Sequence, residues 1–142
     1  MKQGINYTGV GCGALILNEE GKVLIMKRGV KCKNQKGYWQ IPGGAIGFNE
    51  TFHDAIQREV KEELGIKIEV GELLALVDDI MHEEKQHWVT PQFLCKIKEG
   101  SIVNKEPEKC EEIRWCSLDE IPEPQTLYLR KAKEAYKERI QK

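Results

Sequence analysis

The chain has 142 residues, enough for one domain with a substantial core, and its 22 Lys and Arg against 23 Asp and Glu leave a formal net charge of −1. That balance argues against polymeric nucleic acid as a partner, because proteins that bind it carry a basic excess. No apolar run approaches a membrane span and the first residues lack the apolar stretch of a signal peptide, so the sequence predicts a cytoplasmic protein with no membrane partner.

In chain order, residues 7–17 are rich in apolar and small side chains and predict a strand. Asn18-Glu19-Glu20-Gly21 is a turn, and residues 22–27 return as a second strand, which together predict a hairpin. Residues 30–36 are a basic loop. A helix follows, with Asn49 or Thr51 as N-cap and Gly65 as the residue that stops it. Residues 66–77, 86–97 and 112–117 are strand candidates, and 98–109 is a charged loop. Pro122 and Pro124 break the chain before a last helix over 126–140. Strands on both sides of a central helix, then a terminal helix, predict a single α/β domain over 1–142 with a mixed sheet. The 5 cysteines are odd in number and form no C-x-x-C pair, so they read as small buried hydrophobes rather than disulfides or a zinc site. His53, His82 and His87 show no metal-ligand spacing.

The chemistry concentrates in the central helix. Glu59, Glu62 and Glu63 stand at i, i+3 and i+4, a spacing that destabilises an isolated helix by like-charge repulsion. At ~100° per residue, Phe52, Ala55, Ile56, Val60 and Leu64 form one apolar arc. Glu63 and Glu59 fall inside that arc and Glu62 at its border, whereas a merely solvated acidic face would lie opposite. Carboxylates turned toward the body of a protein need cations, because unpaired buried charge is costly. One local arginine, Arg58, serves three acids and can reach Glu62 at i+4. A hard divalent cation, Mg²⁺ with Mn²⁺ as substitute, would make up the deficit. Among the aromatics, Trp39 and Trp115 read as core, while Trp88 and Tyr128 are candidates for stacking on a ligand.

The stretch from Gly44 to Ile66 resembles the Nudix box, G-x5-E-x7-R-E-U-x-E-E-x-G-U with U aliphatic. Gly44, Glu50, Arg58, Glu59, Val60, Glu62, Glu63, Gly65 and Ile66 fill its fixed positions. The lead-in Gly37-Tyr38-Trp39-Gln40-Ile41-Pro42-Gly43-Gly44 is similar to the family's G-x-W-x-x-P-G-G, and Glu106-Pro107-Glu108-Lys109-Cys110-Glu111 resembles the MutT-like nucleoside triphosphate pyrophosphatases. Many relatives carry Glu where this chain has Gly47, and Gly where it has Asn49.

The resemblance implies a Nudix-type α/β/α sandwich with a mixed sheet, a box helix and a C-terminal helix. It implies metal-dependent hydrolysis of a phosphoanhydride in a nucleoside diphosphate-linked small molecule. The favoured substrate is a (d)NTP, giving NMP and pyrophosphate. Alternatives are an ADP-ribose or nucleotide-sugar pyrophosphatase and a nucleotide-binding module without catalysis. The ADP-ribose group's proline and the dinucleoside polyphosphate group's tyrosine are both absent near Ile80-Met81-His82-Glu83, and the intact box speaks for an enzyme. Glu59, Glu62 and Glu63 would be catalytic, as metal ligands, with Glu59 the first candidate for general base or for orienting water. The Gly43 carbonyl and a later loop glutamate, Glu111 in preference to Glu108, would complete the metal site. Gly44, Glu50 and Arg58 would support it, and Arg28 would bind phosphate. The sequence is compatible with a homodimer and selects no oligomeric state.

Overall fold

The computed structural model describes residues 1–141. It contains β1 (Gly9–Ile16), β2 (Val23–Arg28), β3 (Trp39–Gln40), β4 (Gly43–Ala45), α1 (Phe52–Leu64), β5 (Lys67–Met81), β6 (Gln86–Glu99), β7 (Cys110–Cys116), a 3₁₀ turn (Leu118–Glu120) and α2 (Leu127–Ile140). The strands form two sheets, one in the order β4-β1-β6-β5 and the other β3-β2-β7. The first is mixed, since β1 runs parallel to β6 but antiparallel to β4. No helix among the described residues is long and apolar enough to cross a membrane.

Period-2 alternation in β1 and β2 builds the layers. Cys12, Ala14 and Ile16 of β1, with Leu24 and Met26 of β2, face α1 and pack on its Ala55, Ile56, Val60 and Leu64. Leu15, Val23 and Ile25 face the other way, against Leu129 and Ala132 of α2 and the ring of Trp39. The sheets therefore lie between two helices, an α/β/α sandwich with a core on each face. Each fully buried Ile or Leu in these cores contributes about 1.5–3 kcal/mol of transfer free energy. All five cysteines are free, and Cys12, Cys95, Cys110 and Cys116 are buried.

The expected hairpin of the first two strands is replaced by something else. The turn forms, with Asn18 Oδ1 accepting from the Glu20 and Lys22 amides and Gly21 at φ 78°. Beyond it, a single bridge, Leu17 to Val23, joins the two strands. Both edges of β1 are taken by β4 and β6, so β2 diverges and pairs with β3 and β7 in the second sheet.

Candidate active site

The helix that carries the acids is capped as its sequence dictates. Thr51, not Asn49, is the N-cap, and its hydroxyl accepts from the Asp54 amide at 3.1 Å. Gly65 ends α1 in the left-handed conformation at φ 71°. Phe52 departs from the apolar arc: it sits in the first turn, 40% exposed, with its ring 6.2 Å from that of Phe93. The acids follow the arc. Glu63 is buried at 9% exposure, the Glu59 side chain keeps 18% and that of Glu62 keeps 56%.

Arg58 organises three of the four acids around it. Its Nε and Nη2 donate to the two oxygens of Glu50 at 2.7 and 2.9 Å, a bidentate pair. Nη1 donates to Glu59 at 3.0 Å and reaches Glu62 at 3.4 Å, and Nη2 also donates to the Ala45 carbonyl at 3.1 Å. Glu50 accepts the Gly47 amide as well, at 2.9 Å. The guanidinium first, and that amide second, hold the Glu50 carboxyl down at about 2. Arg58 in turn is pushed above its ordinary value by Glu50 and Glu59. These contacts tie the box helix to β4 and to the loop before it.

Glu63 is the fourth acid and has no guanidinium. Its Oε1 accepts the Gly43 amide at 3.1 Å. Burial pushes its carboxyl up to about 8, opposed by that amide and reinforced by the charges of Glu59, Glu106 and Glu62. Burial also raises Glu59, against the pull of Arg58. An environment that leaves a carboxyl reluctant to ionise is one that a bound cation would relieve.

Two adjacent glycines make room for this cluster. A Cβ on Gly43 would land on the carbonyl oxygen of Cys12 in the neighbouring strand. A Cβ on Gly44 would lie 2.6 Å from both oxygens of Glu59. The two clashes differ in kind, one with backbone and one with the end of a side chain. Gly43→Ala is expected to lower stability by about 1–3 kcal/mol by forcing β4 from β1. Gly44→Ala is expected to keep most of the stability while displacing Glu59 and lowering turnover at least ~10-fold. Thermal melts and steady-state rates on the two variants check this, and similar loss of stability in both would contradict it.

One cleft of about 680 Å³ gathers these groups. Glu59, Glu62, Glu63, Gly43 and Gly44 line it, as do Arg28, Trp88 and Tyr128. Glu111 is not among its lining residues. The Glu111 carboxylate turns to Lys27 Nζ at 3.7 Å, and that of Glu108 to Lys31 at 3.6 Å. The acid that β7's leading loop does bring into the cleft is Glu106. The loop is pinned to the end of α1 by the Val103 and Lys105 amides, which donate to the Leu64 and Glu63 carbonyls at 2.9 and 3.1 Å. Asn104 Oδ1 then accepts the Glu106 amide at 3.1 Å. The sequence reading favoured Glu111 over Glu108 and did not consider Glu106; the Asn104 turn before Glu106 is the signal it lacked.

Arg28 lies in the cleft with neutral partners. Nε donates to the Asn34 carbonyl at 3.1 Å, Nη2 to Asn34 Oδ1 at 3.1 Å and Nη1 to Gln40 Oε1 at 2.8 Å. The guanidinium is thus oriented without being neutralised. Trp39 is buried at 4% exposure, with Arg114 over its ring at 4.8 Å, and Trp115 packs against the core. Among the described residues no three acids already converge into a ligating cluster, because Arg58 holds Glu59 and Glu62 and the Gly43 amide holds Glu63. The donor set nonetheless fits a hard divalent cation: Glu59, Glu62, Glu63 and Glu106 line one cleft, two of them sharing one arginine and one buried without any.

Comparison with known proteins places the fold in a family. The family model for the NUDIX domain matches residues 8–138. The chain belongs to the Nudix family of pyrophosphohydrolases. This Nudix hydrolase is similar to a crystal structure of a MutT NUDIX hydrolase from Burkholderia pseudomallei, with a TM-score of 0.85 and 38% identity over 92% of this chain and 98% of that one. It is 31% identical to the RNA pyrophosphohydrolase of Pelagibacter ubique (strain HTCC1062), over 78% of this chain and 77% of that one. It is also 31% identical to the CTP pyrophosphohydrolase of Escherichia coli (strain K12), over 75% of each.

Proposed function

We propose that this Nudix hydrolase cleaves a nucleoside triphosphate to the nucleoside monophosphate and pyrophosphate, with Mg²⁺ as cofactor and Mn²⁺ as substitute. The observation that carries the reading is the composition of this cleft. Glu59, Glu62, Glu63 and Glu106 line it together with a guanidinium left un-neutralised by its partners and the aromatic side chains of Trp88 and Tyr128. A triphosphate, its metal and a base call for those three kinds of surface.

In this reading Glu59, Glu62, Glu63 and Glu106, with the Gly43 carbonyl, hold the metal. Bound there, Mg²⁺ supplies charge neutralisation on the phosphate oxygens and a lower pKa for water. Arg28 offers its remaining N–H groups to phosphate oxygens, pre-aimed by Gln40 and Asn34. Arg58 Nη1 fixes Glu59 Oε1, which leaves Oε2 to face the metal and to orient the attacking water there. Arg58 and Glu50 position that carboxylate and are not among the residues that line the cleft.

Hydrolysis in ¹⁸O-labelled water tests the reaction. The expected products are NMP and pyrophosphate, with the label on one of them. Orthophosphate as the direct product, or turnover of ADP-ribose or of a 5′-triphosphorylated RNA far above every free triphosphate, would assign the cleft to another branch of the family.

A further inference from the structure

The end of the cleft away from the box is built on the β5–β6 ladder. Asp79 pairs with Trp88 and Val77 with Thr90, and paired residues share a face of the sheet. Asp79, Met81, Gln86, Trp88 and Thr90 accordingly all line the cleft. Asp78 points to the opposite face, where its carboxylate meets His87 Nε2 at 2.6 Å. Asp79 meets no Lys, Arg or His among the described residues.

What Asp79 does meet is a phenol. Tyr128, in the first turn of α2, is half-buried, with its backbone carbonyl accepting from Gln92 Nε2 at 2.8 Å. Its hydroxyl lies beside Thr90 and Asp79, and burial, ahead of the Asp79 charge, pushes it well above the ordinary tyrosine range, so it stays protonated. A protonated phenol beside a carboxylate donates to it, and its oxygen then accepts from the Thr90 hydroxyl. The chain Thr90 to Tyr128 to Asp79 spends its donors internally and ends on a carboxylate. The Trp88 N–H is spent too, on Gln86 Oε1 at 3.0 Å. The Trp88 indole is backed by Gly4 and Gly9, so closely that a Cβ on either would enter the ring. It offers a fixed apolar wall for a base.

We infer that Asp79 sets the base preference of this cleft, by accepting two adjacent N–H donors from the base, and that guanine is the base it selects. The inference rests on the triphosphate reading and deepens it. Guanine presents N1–H and the 2-amino group side by side, a match to the two oxygens of a carboxylate like that of an arginine fork. Adenine and cytosine offer one amino group beside a ring-nitrogen acceptor, which faces the carboxylate with like polarity. Uracil and thymine offer one N–H between two carbonyls.

The test compares GTP, ITP, ATP, CTP and UTP in two measurements: kcat/KM with Mg²⁺, and equilibrium binding in excess EDTA, where no turnover interferes. GTP is expected to lead the other bases at least ~10-fold in both, since a site built to accept two donors rejects a base that lacks one. ITP keeps N1–H and lacks the 2-amino group, and is expected to fall about 10-fold below GTP. Asp79→Asn, of the same shape, is expected to bring GTP and UTP within ~3-fold of each other, with an unchanged melting curve reporting an intact fold. An unaltered GTP-to-UTP ratio in Asp79→Asn, equal behaviour of GTP and ITP, or a pyrimidine preference in the wild type would overturn it. Failure to turn over any triphosphate would instead overturn the triphosphate reading, and the binding series would still decide the role of Asp79.

Discussion

Glu63→Gln is expected to lower turnover at least ~10²-fold, the scale of losing one fixed charge at a transition state, and at the same time to stabilise the metal-free protein at pH 8. The activity arm follows from the donor set: the amide keeps the shape and the bond from the Gly43 N–H but loses the charge that a cation requires. The stability arm follows from linkage. The Glu63 carboxyl stands near 8 in the folded protein against an ordinary value of 4.5. The folded state therefore holds this proton where the unfolded state has released it, from about 4.5 to about 8, and stability falls as pH rises through that window. The glutamine variant carries no such penalty. Steady-state rates with saturating Mg²⁺ and melts in EDTA read the two arms. Near wild-type turnover would remove Glu63 from the metal site, and a melting temperature below wild type at pH 8 would contradict the buried-charge account.

The wild-type protein should show the same linkage through its metal. In EDTA, stability is expected to fall on the order of 1 kcal/mol per pH unit between pH 5 and 8, or roughly 2–4 °C per unit for a domain of this size. Below that window the sign reverses. The Glu50 carboxyl, held at about 2 by Arg58, contributes stability above its unfolded value, and this is lost as pH drops from about 4.5 toward 2. The metal-free protein is thus expected to be most stable near pH 5. Millimolar Mg²⁺ should raise the melting temperature at pH 8 by several degrees, since saturating a site a hundredfold over its Kd adds about 2.7 kcal/mol. It should also flatten the slope above pH 5, because the cation replaces the proton on Glu63. Identical curves with and without Mg²⁺ would mean that the box acids are only a crowded helix face.

The box helix was legible in the sequence because burial there follows a single period. Glu63 and Glu59 lie where the apolar arc puts them, and Glu62 lies at its edge. Residues whose position depends on a distant partner were not legible. The two strands flanking the Asn18 turn look like a hairpin, yet which strands take the edges of β1 is decided by β4 and by β6, some eighty residues on. β3 and β4 have two and three residues, too few to show a period. Glu111 follows the resemblance in sequence, but Lys27 takes it on the far side of a strand while a turn at Asn104 delivers Glu106. Arg28, Trp88 and Tyr128 do share the cleft with the acids. Asp79 was missed because nothing in the sequence tells which of two adjacent aspartates, Asp78 or Asp79, faces the cleft.

The parallel pairing of β1 with β6 has a consequence for synthesis of the chain. β1 is made first, but one of its two neighbours in the sheet is among the later strands to be made. Until β6 leaves the ribosome, Ala14, Leu15 and Ile16 have an open edge, and the box helix has only half a floor to rest on. Nascent chains halted before β6 are therefore expected to be protease-sensitive whatever their helix content, since pairing between distant segments must wait for both. Protection should arrive abruptly, with β6, rather than build up strand by strand.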